Sequence, residues 1–219
     1  LAAIAVTQRE NALLNERAIQ QKPMTIDDYM ASRVIVDPFH LYDMSLESDG
    51  GCALLVTSHD RARDCNKKPV YVKASAFLSK ATTGDPLWSD SFLWPDLTEN
   101  YTKIIAPKMY REAGIGPEDV DIAEIYDCFT YTVLMGLEGL GFCQKGEGGP
   151  FASSGAIGLG GTIPTNTNGG MLSGAYVHGM NVIAEAVMQL RGEGGARQVS
   201  DAEVAVVTSG ATTIGSGCI

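Results

Sequence analysis

The sequence predicts an α/β fold built in layers, and three observations carry that prediction. Segments with helical spacing of apolar residues alternate with short β-branched runs. The run from Glu203 to Ser209 (EVAVVTS) has the look of a strand buried on both faces. Of the 219 residues, 45% are hydrophobic and 19% charged, which leaves enough apolar material for a substantial core.

Taken in order, residues 1 to 19 read as a helix, with Ile4, Ala5, Leu13, Leu14, Ala18 and Ile19 set among charged neighbours. Leu1 is not a methionine and already stands inside that pattern, so the expectation is a fragment or a partly ordered longer chain. Thr25 is an expected N-cap for a short helix ending near Arg33, with Asp27 and Asp28 in its first turn. Val34, Ile35 and Val36 form a β-branched run stopped by Pro38. Residues 51 to 58 (GCALLVTS) read as a short buried strand. A short helix over 59–66 and a β-rich stretch over 70–80 follow. An irregular loop over 81–96 then carries both tryptophans, Trp88 and Trp94.

Residues 97 to 113 return to helical spacing, with Tyr101, Ile104, Ile105, Met109 and Tyr110 on one face and Pro107 as a potential kink. A turn at 114–119 leads to a strand over 120–126, and a helix over 130–141 closes on glycine. Residues 145–170 are rich in glycine and polar residues. Phe151, Ile157, Leu159 and Ile163 punctuate them, which predicts an ordered loop. A helix within 175–191 and the strand at 203–209 complete the chain. Without the short helix at 59–66, the order is α-α-β-β-β-α-β-α-α-β.

The net charge is −10 and the pI about 4.7, which argues against a nucleic-acid binder. An anionic small molecule is still admissible, because backbone amides and a few lysines can hold phosphate. Five dispersed cysteines and three histidines show no metal-type spacing, so no metal site is expected. The odd, scattered cysteine count suits a reducing cytoplasm. No apolar run has the length of a membrane span. The tract from Lys145 to Gly149 lacks the spacing of a phosphate-binding loop.

Three segments stand out for chemistry. Ala123-Glu124-Ile125-Tyr126-Asp127-Cys128-Phe129 lies where a strand should turn into a helix. Residues 160–179 form a polar loop that holds Asn166, Asn168, Tyr176 and His178 and feeds a helix. Val207-Thr208-Ser209-Gly210-Ala211 follows the last strand. Ligands of open α/β sheets bind beyond the carboxyl ends of strands, which makes the first and third segments candidates.

These residues resemble the C-terminal half of the thiolase superfamily. The motifs are E-x-Tyr-Asp-x-Phe at 124–129 and N-x-N-G-G at 166–170, with support from Arg9, Asn11, Ala12, Asn15, Ser48-Asp49-Gly50-Gly51 and the 137–149 stretch. The branch is that of the sterol-carrier-protein-x thiolases and lipid-transfer proteins. The resemblance implies a thiolase-like layered α/β fold in a chain about twice this length. Residues 1–65 would then be the tail of the preceding half and 66–219 the C-terminal thiolase-like domain. The nucleophilic cysteine of thiolases would lie outside this sequence.

The departures narrow the expectation. Tyr126 stands where thiolases carry histidine or asparagine, and Tyr176 replaces the histidine of their Gly-His-Pro motif. The final strand leads to Thr208-Ser209-Gly210 in place of a second cysteine. Paired tyrosines resemble the steroid side-chain-cleaving aldolases of the superfamily, which cleave a β-hydroxyacyl-CoA by retro-aldol reaction beside an OB-fold, zinc-ribbon partner. That implies Tyr126 and Tyr176 as acid and base, and His178 or Asp127 as relay or substrate contact. It implies the Gly210 amide as an oxyanion donor, with no cofactor beyond the CoA thioester substrate. A homodimer follows from the same resemblance. Bland roles stand beside these: a packed tyrosine, a structural histidine, and Asp127 as cap of the following helix. The alternatives are a thiolase-type acyltransferase with its cysteine in the missing half, and a non-catalytic scaffold subunit.

Overall fold

A computed structural model describes residues 1–78, 96–210 and 215–219. Its centre is a four-stranded mixed sheet in the order β3-β6-β5-β4, built from β3 (Ser75–Leu78), β4 (Ile122–Glu124), β5 (Ala205–Ser209) and β6 (Gly215–Cys218). Strand β4 runs parallel to β5, with Ile122 opposite Ala205 and Glu124 opposite Val207. The β5–β6 and β6–β3 pairs are antiparallel.

Alternation along the strands sorts the core into two faces. Ala123 and Val206 point to one side, into a cluster with Ile105, Met109, Val133 and Leu137 from α4 (Thr102–Ala113) and α5 (Thr130–Gly139). Ile122, Ala205 and Val207 point to the other, against Val182 and Ala186 of α7 (Met180–Leu190). The period of two along each strand thus makes three layers: helices, sheet, helix.

Strand β6 has the sequence GSGC, without a β-branched residue. A side chain at Gly215 would stand 2.4 Å from the Tyr101 ring, and one at Gly217 would stand 2.9 Å from Met109 Sδ. These glycines let α4 lie close against the sheet, and no β propensity marks them in the sequence. Pro107 sits within α4, which stays a single helix.

The N-terminal region packs on the stretch 165–174. Helix α1 (Ala2–Leu13) stops short of the expected Ile19, because the chain turns there and the Ile19 amide donates to the Gly174 carbonyl at 2.7 Å. Helix α2 (Ile26–Ala31) carries the expected Thr25 cap: the Thr25 hydroxyl accepts from the Asp28 amide at 3.1 Å, and Asp28 accepts from the Thr25 amide at 2.8 Å. Strands β1 (Val34–Val36) and β2 (Phe39–His40) form a small hairpin.

Three sequence expectations need correction. Residues 51–58 are not a strand; Leu55 is 91% and Val56 87% exposed. A strand needs a neighbour to take its amides and carbonyls, and among the described residues none pairs with this run. The expected helix over 59–66 shortens to α3 (His59–Ala62) and turns. The glycine-rich tract contains a helix, α6 (Gly148–Ser153), whose start is held by Glu138 accepting from the Gly146 and Gly148 amides at 3.0 and 3.1 Å. The Trp88/Trp94 loop lies outside the described residues apart from Asp96. No helix among the described residues is long and apolar enough to cross a membrane.

Candidate active site

The carboxyl ends of β4 and β5 meet the loop 164–179, and this is where the chemistry-bearing side chains gather. Asn166 does the first part of the positioning. Its backbone takes a left-handed φ of +50°, and its side chain accepts from the Ile125 amide at 2.7 Å and donates to the Ile125 carbonyl at 2.9 Å. It acts as a short substitute strand beside β4 and fixes the residue just before Tyr126. The Tyr126 amide then donates to the Thr208 hydroxyl on β5 at 3.1 Å.

Helix α1 and the turn that follows it hold the same loop from outside. Asn11 donates to the Thr165 and Asn166 carbonyls at 3.1 and 3.2 Å, Asn15 to the Asn168 carbonyl at 3.0 Å, and Arg9 Nε to Ser173 Oγ at 3.0 Å. The polar residues of the opening helix therefore serve the loop, which is the physical content of their motif.

Below the loop lies a buried polar group. Thr167 Oγ1 donates to Glu124 at 2.9 Å or Glu185 at 2.8 Å, and Arg197 forks onto Glu185 at 2.8 and 2.9 Å. Burial and the nearby Glu185 push the Glu124 carboxyl well above the ordinary carboxylate range. The one guanidinium within reach pairs with Glu185, while burial disfavours the charged form of Glu124.

Tyr126 and Tyr176 come together as the sequence suggested. Their phenol oxygens stand 3.1 Å apart, and the Tyr176 oxygen is 2.9 Å from His178 Nδ1. The His178 ring meets both tyrosines edge-on, with centroids 6.0 Å from Tyr126 and 5.8 Å from Tyr176. Their hydrogen bonds run from a buried phenol, through a half-buried one, to an exposed imidazole. Burial first, and then the Tyr176 hydrogen bond, raise the Tyr126 phenol far above its ordinary value, so it keeps its proton.

Turning the loop into this arrangement takes unusual backbone. His178 has φ +51° and Gly179 φ +85°. A side chain at Gly179 would meet the Tyr126 ring at 3.0 Å and Ser209 Oγ at 3.1 Å. Only glycine fits there, and the same contact brings Ser209 to the edge of the site.

Asp127 differs from both sequence expectations. It does not cap α5, whose N-cap is Phe129. Its side chain is fully buried and accepts from the Met171 amide at 2.9 Å and the Leu172 amide at 3.2 Å, capping the wide turn at Gly170–Gly174. Burial pushes its carboxyl up to about 7 against the pull of those amides. Gly210, with φ +129°, follows Ser209 at the end of β5. Cys128 follows Asp127, and burial pushes its thiol up to about 12. Ser48 and Thr208 hold the tyrosines through their backbones; Thr208 stood in a candidate segment of the sequence, with no sign that it bonds Tyr126. Ser48 belonged to a quoted motif, but nothing in that motif pointed to Tyr176.

Residues 89–219 match the family described as thiolase C-terminal domain-like. The chain is 41% identical over 219 residues to a protein of Mycobacterium tuberculosis named 17-hydroxy-3-oxo-4-pregnene-20-carboxyl-CoA lyase, covering 99% of this chain and 56% of that one. It is 39% identical over 218 residues to a steroid side-chain-cleaving aldolase of Thermomonospora curvata, covering 99% of this chain and 55% of the relative. A solved structure titled Ltp2-ChsH2(DUF35) aldolase superposes with a TM-score of 0.93 at 39% identity, over 99% of this chain and 56% of the other. The chain thus spans about half the length of the curated relatives it matches.

Proposed function

The chain belongs to the thiolase C-terminal domain-like family, and from that premise we propose that it is the C-terminal half of a CoA-thioester carbon–carbon lyase. The reaction is retro-aldol cleavage of a β-hydroxyacyl-CoA of the steroid side-chain type. Residues 1–65 would belong to the preceding half and 66–219 to the C-terminal domain. The observation that carries the reading is the pair of phenol oxygens 3.1 Å apart at the strand ends.

The chemistry follows from the two environments. Tyr176, half-buried and bonded to His178, takes the proton of the β-hydroxyl while its own proton passes to the imidazole. The hydroxyl carbon becomes a ketone as the Cα–Cβ bond breaks, and the electron pair moves to the thioester as an enolate. Tyr126, which burial keeps protonated, then supplies the proton that turns the enolate into the shortened acyl-CoA. The proton left on His178 then passes back through Tyr176 to Tyr126, which restores all three side chains and closes the cycle without an oxidant or cofactor. The Gly210 amide, beside Ser209 at the end of β5, is the proposed donor to the enolate oxygen. Asp127 serves this site through the loop it caps, since its buried oxygens face backbone amides.

A thiolase-type acyltransferase would have to draw its thiolate from the other half of the protein, since the cysteine next to this site does not supply one. The Cys128 thiol is pushed up to about 12 by burial, which leaves it protonated at neutral pH. As partners we propose an OB-fold, zinc-ribbon protein and a second copy of the chain. The place of action would be the cytoplasm, where its free cysteines stay reduced.

The test is ketone release from a β-hydroxyacyl-CoA with a tertiary hydroxyl, using the full-length protein with its partner. Turnover that falls by about 10²–10⁴ in the Tyr176→Phe variant supports the reading. Turnover equal to that of the unaltered protein contradicts it.

A further inference from the structure

We infer that Ser48 is a positioning residue for Tyr176, and that residues 44–50 form a strap holding the two tyrosine-bearing loops in register. The inference rests on reading Tyr126 and Tyr176 as the reacting pair.

The strap touches each loop in turn. Met44 makes an isolated antiparallel bridge with Phe129. The Ser45 amide donates to the Cys128 carbonyl at 3.0 Å, two residues beyond Tyr126. The next amide, of Leu46, donates to the Met171 carbonyl in the other loop at 3.1 Å. Ser48 Oγ then accepts from the Tyr176 amide at 2.9 Å and donates to the Tyr176 carbonyl at 3.1 Å. Beyond it, a side chain at Gly50 would stand 3.2 Å from Val177 Cγ2, so the strap packs flush against the loop.

One hydroxyl thus closes both backbone groups of the residue that carries the half-buried phenol. On either side of Tyr176 the backbone is tied by the Ala175 amide to the Gly170 carbonyl and by the Met180 amide to the Val177 carbonyl, each 3.1 Å. Ser48 holds the middle. It touches neither phenol oxygen, so its effect on the reaction runs through where Tyr176 sits. Displacing a reacting group by about 1 Å can cost about 10²-fold in rate.

The experiment is a double-mutant cycle in the full-length protein with its partner, read by kcat and KM for ketone release, with a crystal structure of the Ser48→Ala variant. Ser48→Ala is expected to lower kcat by about 10- to 100-fold, with KM little changed and Ser48→Thr retaining most of the rate. In the Tyr176→Phe background Ser48→Ala should cost nothing further. An unchanged kcat in Ser48→Ala overturns the inference, and so does an equal loss in both backgrounds. The crystal structure decides independently of turnover: the phenol oxygens should separate beyond hydrogen-bond reach, and an unmoved Tyr176 overturns the inference. If the unaltered protein releases no ketone, the proposed reaction fails while the structural arm still tests the strap.

Discussion

Tyr126 and Tyr176 are the same residue type in different surroundings, and in the proposed reaction those surroundings divide their roles. Tyr126 packs under Gly179, against β5, and holds its proton; Tyr176 stands one bond further out, on His178. His178→Ala should therefore lower kcat by less than Tyr176→Phe, since solvent can replace an exposed proton acceptor; equal losses would show the imidazole to be indispensable. Asp127 yields a prediction of known sign. Its carboxyl, at about 7 in the folded chain, stands above the ordinary aspartate value of about 3.9. Between those values the folded state binds a proton that the unfolded chain lacks. Its stability contribution is complete below about pH 4 and is lost as pH rises towards 7. Asp127→Asn removes that slope, so denaturant curves for the two proteins should diverge across this window. Parallel stability profiles would show that Asp127 stays ionised throughout. The tyrosines were legible as departures from a motif. The hydroxyls that hold them, Ser48 and Thr208, were not, because each acts on a residue far along the chain.

At the scale of elements, the sequence was readable where a segment's own pattern decides its structure. Helices α4, α5 and α7 and strands β4 and β5 carry their periodicity openly. Strand β6 was missed because Gly215 and Gly217 answer to Tyr101 and Met109 of α4, information that sits in another element. Helix α6 was missed because Glu138, a residue of α5, holds its first amides. The run 51–58 erred the other way: its apolar side chains read as a strand, yet periodicity cannot say what will pair with it. The loop beneath the site gives two predictions. Gly179→Ala forces a side chain at φ +85° against the Tyr126 ring and should cost about 1–3 kcal/mol along with much of the activity. A stable, fully active variant would show the loop to be pliant. Arg197→Leu leaves Glu185 buried and unpaired, and should cost about 3–5 kcal/mol by chemical denaturation. A loss under about 1 kcal/mol would place that pair among those of little weight.

At the scale of the whole molecule, a complete helix–sheet–helix unit adjoins apolar surface that faces outward. Leu55 and Val56 on one segment, and Val72 and Phe77 beside and on β3, are 91%, 87%, 70% and 68% exposed. Large apolar side chains exposed in this way offer surface for association. These 219 residues produced alone should therefore self-associate or bind a hydrophobic dye, less so with Leu55→Lys and Val56→Lys. A dye-silent monomer by analytical ultracentrifugation would contradict that. The candidate site groups two phenols and an imidazole at the carboxyl ends of parallel strands, held by α1, the asparagine loop and residues 44–50. The central claim is that this tyrosine pair breaks a carbon–carbon bond in a CoA thioester. The most direct test is ketone release from a tertiary β-hydroxyacyl-CoA by the full-length protein with its partner, compared with its Tyr126→Phe/Tyr176→Phe variant. The account predicts ketone and shortened acyl-CoA in equal amounts from the first and a rate near background from the second; equal rates from both would contradict it.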